Sequence, residues 1–202
     1  MSLSLAECFA DSDGDHCPPY STTDLLNELE ATMNLEPAVD RIQAVRSCLM
    51  RAVTENPGFL PELFSRTTVG RYARRPLYID PEGRYSVMVM TWGPGQGTPL
   101  HDHNGLWVVE CLYQGRMKVT NFDYLGEEDG AHQFRPGPTF HAQPGQSSFR
   151  VPPHEHHTLQ NDQEEPSITI HVFGGILESC RVFEPTENGY RHCVRCLVYT
   201  QD

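Results

Sequence analysis

From Arg71 onward the chain is built of short apolar runs broken by Gly- and Pro-rich turns, with no intervening stretch long enough for the crossover helix that parallel strands require. Runs over residues 85–92, 107–113, 117–124, 148–151, 167–173, 179–183 and 193–199 read as strands. Gly93-Pro94-Gly95-Gln96-Gly97 and Gln114-Gly115 read as turns between them. This pattern predicts a mainly β, antiparallel sandwich or barrel.

The N-terminal third is different. Residues 1–20 carry Gly, Pro, Asp and Ser without periodicity and read as a loose arm. Ser21-Thr22-Thr23-Asp24 offers N-cap candidates, and Leu25, Leu26, Leu29 and Met33 follow at helical spacing. Pro37 suits a first helical turn, and Val39, Ile42, Val45, Leu49 and Val53 mark one face of a second helix. Pro57 and Pro61 bracket a short third segment with Phe59, Leu60, Leu63 and Phe64. A length of 202 residues suits one domain over 21–202, with the helical segment 22–64 packed outside a β-barrel spanning 70–200.

Composition narrows the function classes. Lys and Arg number 15 against 27 Asp and Glu, a net charge of −12, which argues against a nucleic-acid partner. No run approaches the ~20 apolar residues of a membrane span, and the N-terminus lacks a secretory pattern, so the expected compartment is the cytoplasm. Seven scattered cysteines, an odd count, argue against a disulfide framework. Cys193 and Cys196 have the spacing of half a zinc knuckle, but residues three apart on a strand face opposite ways and chelate poorly. They are expected to be ordinary buried or half-buried thiols.

Histidines carry the chemistry. His101-Asp102-His103 follows the Gly-rich turn and precedes the apolar strand Trp107-Val108-Val109. On a strand, residues i and i+2 share a face, so both imidazoles can meet one ion. A second cluster, His154-Glu155-His156-His157, follows Val151-Pro152-Pro153, and a later strand carries His171. A third histidine from this second region would complete a facial site with open positions. Imidazole suits iron, zinc, copper and nickel alike, so ligand type leaves the metal open. His16, His132, His141 and His192 lack such a setting and read as surface or structural.

The spacing Gly95-x5-His101-x-His103-x4-Val108-x6-Gly115 resembles the first cupin motif, with Val108 where cupins usually place a metal-binding glutamate. The segment 151–161, with Pro152 before His157 and Asn161 after it, resembles the second. Three histidines without the glutamate resemble the thiol dioxygenases of the cysteine dioxygenase type I family. Tyr72-Ala73-Arg74 is similar to that family's Tyr-x-Arg, and Thr169-Ile170-His171-Val172-Phe173 to its Ser-x-His-x-Tyr. The resemblance implies a cupin barrel (a double-stranded β-helix, jelly-roll-like) holding Fe(II) on His101, His103 and His157.

It further implies that Arg74 grips the substrate carboxylate beside Tyr72, with Arg75 as the fallback, and that His171 and Thr169 form an outer hydrogen-bonded series. Animal members carry a cysteine at the Val108 position, cross-linked to a tyrosine at the Phe173 position; here neither half exists. Val108 and Phe173 would line the substrate site as apolar bulk, and Cys111 should face the other way. The implied reaction adds both atoms of dioxygen to the sulfur of a small thiol carboxylate, L-cysteine giving its sulfinate, in a chain taken as monomeric. Alternatives are 3-mercaptopropionate or another thiol acid as substrate, or a noncatalytic metal-binding cupin.

Overall fold

A computed structural model describes residues 20–201, so the expected arm lies outside the described residues except for Tyr20. That residue is packed, its ring edge-on to Phe59. Helix α1 (Thr22–Thr32) begins with a reciprocal cap: the Asp24 amide donates to the Ser21 hydroxyl, and the Asp24 carboxylate accepts from the Ser21 amide. Helix α2 (Ala38–Glu55) turns Ile42, Val45, Leu49, Ala52 and Val53 inward, with Pro37 at its N-cap. The third segment is a 3-10 turn over Glu62–Ser65 that buries Phe64 and leaves Leu63 exposed. Neither helix is long and apolar enough to cross a membrane.

Eleven strands follow: β1 (Ala73–Ile79), β2 (Ser86–Trp92), β3 (Leu100–His101), β4 (Val108–Gln114), β5 (Met117–Glu128), β6 (Ala131–Ala142), β7 (Ser147–Arg150), β8 (His157–Gln160), β9 (Ser167–Phe173), β10 (Ser179–Thr186) and β11 (Gly189–Cys196). One antiparallel sheet has the order β1-β2-β9-β4-β7; the other strands form a ring, β10-β11-β6-β5-β8-β3, closed by β3 pairing with β10. The chain is mainly β and has the cupin barrel architecture, with helices outside it.

The first sheet is buried on both faces, which is why β2 and β9 read as nearly unbroken apolar runs. Alternation splits their side chains. Val87, Val89, Val109, Cys111, Ile170 and Val172 pack with the helices, while Met88, Trp92, Val108, Leu112 and Phe173 face the barrel interior against Met117, Val119 and Leu159. Cys111 therefore lies on the helix side, opposite to Val108, as expected.

The structure departs from the sequence reading in several places, among them β1 and β8, which the apolar runs did not mark. Strand β6 is unexpected, because Pro136-Gly137-Pro138 carries turn chemistry; the hairpin with β5 absorbs it through register shifts between Thr120 and Phe122 and between Tyr124 and Gly126. Asp129 and Gly130, both at positive φ, make its tight turn. The last strand ends at Cys196, not 199. Cys193 and Cys196 are exposed free thiols rather than buried ones, because most of β11 lies on the surface.

Candidate metal centre and substrate cavity

Strand β3 is only two residues long, but its register sets the site: His101 pairs directly with His157 of β8, and their rings lie 4.6 Å apart. The approach depends on glycine, since a Cβ at Gly97 would sit 2.5 Å from the Leu159 carbonyl. Asn161 ties the end of β8 to the 93–97 turn by donating to the Trp92 and Gly93 carbonyls. His103 lies beyond β3, in a loop, so the expected i, i+2 strand pair is a strand-plus-loop pair. The loop needs anchors of its own. Asp102, fully buried, accepts from the Asn104 and Arg181 amides and pairs with the Arg181 guanidinium. The Glu155 carboxylate accepts from the His103 amide at 2.8 Å.

This brings ligand nitrogens of His101, His103 and His157 within 4.8 Å of one another, a set that could hold a metal ion. His101 Nδ1 lies 3.1 Å from the Pro99 carbonyl, and His157 Nδ1 lies 3.0 Å from the Glu155 carbonyl. Carbonyls only accept, so each Nδ1 carries the proton and each Nε2 keeps its lone pair. His103 Nδ1 and His157 Nε2 are buried without hydrogen-bond partners. Burial holds the pKa of His101 well below the ordinary histidine value, reinforced by the two neighbouring imidazoles. Burial also lowers that of His103, against an opposing pull from Glu155. Imidazoles with unused lone pairs are suited to a metal. His154 and His156 stand outside the set.

Beside the trio lies a cavity of about 30 Å³, bounded by Tyr72, Arg74, His171, Phe173 and the imidazoles of His101 and His103. It shares Tyr72, His101 and Cys180 with a wider outer cleft. Arg74 is 3% exposed; its Nη2 donates to the Leu177 carbonyl at 2.8 Å, while Nε and Nη1 have no partner. Arg75 instead donates to the Arg66 carbonyl, away from the cavity. The Tyr72 ring packs 4.4 Å from Trp92. Thr169 Oγ1 accepts from the Trp92 indole and lies 2.7 Å from His171 Nε2, so it stands behind His171 and does not line the cavity. Val108 is also absent from the lining: it pairs with Phe173 in register and backs it from the neighbouring strand.

The sequence reading missed three acids: Asp102 and Glu155, which position the loop, and Glu110. Glu110 lies on β4 between Val108 and Leu112, in the same inward-facing row, and is buried with Oε1 3.2 Å from His157 Nε2. Alternation from Val108 was the available signal; the surrounding apolar run concealed it.

A cupin barrel with a three-histidine cluster facing its interior defines a metal-binding cupin. Residues 19–186 match the family model for cysteine dioxygenase type I. The chain belongs to that family, and it is a thiol dioxygenase. It is 26% identical to cysteine dioxygenase type 1 of Rattus norvegicus over 82% of this chain and 80% of the relative. The corresponding protein of Danio rerio is 25% identical over 76% and 75%. Among solved structures, a conserved protein with a double-stranded β-helix domain from Klebsiella pneumoniae aligns with a TM-score of 0.45 and 18% identity, covering 65% of this chain and 91% of that one.

Proposed function

We propose that this protein uses iron(II), held by His101, His103 and His157, to oxidise the thiol of L-cysteine to the sulfinate. The observation that carries the substrate reading is the buried Arg74, which keeps two side-chain donors without hydrogen-bond partners and lines the cavity that His101 and His103 also line. A free guanidinium N–H can make a charge-assisted bond to a carboxylate, and a buried guanidinium without a counter-anion is costly. Burial lowers the Arg74 pKa, so a substrate carboxylate restores what burial removes.

Iron(II) at the trio would supply a redox centre where a thiolate and dioxygen meet. Sulfur loses four electrons, dioxygen accepts all four, and both oxygen atoms end on sulfur, so no external reductant is consumed. The chain's own part is positioning. Arg74 fixes the carboxylate, and Tyr72, packed against Trp92, holds one wall at the cavity mouth. Phe173, backed by Val108, and Leu177 keep the interior dry. His171 faces the cavity with its ring oriented by Thr169. The free buried thiols Cys48, Cys111 and Cys180 accord with a cytoplasmic, reducing setting.

The test is oxygen uptake by iron(II)-loaded protein with a panel of thiols. Cysteine should give the highest kcat/KM. A higher value with 3-mercaptopropionate would replace the substrate assignment and leave the dioxygenase class standing.

A further inference from the structure

We propose that Glu110 is a fourth, anionic ligand to the metal, making the centre three imidazoles and one carboxylate; this rests on the metal reading above. The argument starts from a pair of atoms that should not face each other. His157 Nδ1 gives its proton to the Glu155 carbonyl, so Nε2 presents a lone pair. The atom opposite, at 3.2 Å, is Glu110 Oε1, which has no hydrogen-bond partner. Two acceptors in contact in a dry interior repel, and each has lost its water. A cation shared between them removes both penalties.

The distance suits a metal ion. Ligands about 2.1 Å from one ion and at right angles to each other lie about 3.0 Å apart, close to the observed contact. The carboxylate is also placed to move. Its second oxygen is held only by Ser148 at 3.4 Å, and Oε1 lies 3.3 Å from His171 Nδ1. Glu110 sits on the His157 side of the histidine set, outside the group that is mutually within 4.8 Å, so binding requires the side chain to close on the ion.

The consequence is chemical. A bound carboxylate would remove one unit of charge from the centre and occupy a position otherwise open to substrate or dioxygen.

The test uses cobalt(II) as probe, added anaerobically to the metal-free protein, with affinity and the ligand-field absorption recorded for wild type, Glu110→Gln, Glu110→Asp and His103→Ala. Circular dichroism of each metal-free variant checks the fold. Wild type should bind one equivalent. Glu110→Gln should bind at least tenfold more weakly with a changed absorption band, and Glu110→Asp, whose carboxylate is too short to reach, should behave likewise. Unchanged affinity and spectrum in Glu110→Gln would overturn the proposal. So would a wild-type spectrum in Glu110→Asp, which would show that charge alone matters. Equal binding by wild type and His103→Ala would overturn the metal assignment itself, and this inference with it.

Discussion

Arg74 is the residue on which substrate recognition turns. Replacing it with alanine removes two charge-assisted donors, together worth roughly 1.5–3 kcal/mol. KM for a thiol carboxylate should rise about tenfold to a hundredfold, while cobalt(II) affinity stays within a factor of two. A comparable loss of metal affinity would show that Arg74 supports the histidines instead. Thiol reactivity is a second residue-scale prediction. Burial pushes the Cys111 thiol up to about 12 and the Cys180 thiol up to about 11, whereas Cys193 and Cys196 are exposed. Alkylation with peptide mapping should therefore label Cys193 and Cys196 before Cys111 and Cys180. Early labelling of Cys111 would contradict the packing of β4 against the helices. Phe173→Tyr should tighten the coupling of oxygen consumed to sulfinate formed, since it adds a hydroxyl at the cavity wall; poorer coupling would argue for a different substrate.

At the scale of elements, the β1–β2 hairpin is clamped to the first helix. The Asp80 carboxylate accepts from Arg84 at its amide, Nε and Nη2, and Arg84 also reaches Glu30 of α1. The Arg84 hydrogen bonds hold the Asp80 pKa at about 2, against burial, which raises it. A depressed folded-state pKa stabilises above the unfolded value of 3.8 and is lost as pH falls through about 2. Chemical denaturation should thus show a stability loss between about pH 4 and 2 that Asp80→Asn lacks; identical profiles would remove the clamp from the account. The helices themselves were legible because their signals are local: the Ser21 cap, and the row Ile42, Val45, Leu49. Leu49→Ala should cost about 2–5 kcal/mol, since this side chain is fully enclosed between helix and sheet. Strand β6 was illegible for the opposite reason. Its register with β5 is made by bulges that accommodate prolines, and no local pattern announces a bulge.

For the whole molecule, the site exists because the barrel closes. His101 and His157 meet only through β3–β8 pairing, and β3 is held on its other side by β10. The sequence could offer His-x-His and a distant histidine, since their spacing is short-range. It could not show that Glu110 would face His157 or that Glu155 would pin His103, because those pairings depend on strands far apart in the chain. A metal that binds only the closed barrel should also stabilise it. Iron(II) should raise the thermal midpoint of wild type and leave that of His103→Ala unmoved. The most direct test of the central claim is turnover of cysteine by the iron(II)-loaded protein under ¹⁸O-labelled dioxygen, with the product weighed by mass spectrometry. The account predicts a sulfinate carrying two labelled oxygen atoms and one dioxygen consumed per product; a disulfide, or a product with one labelled oxygen or none, would contradict it.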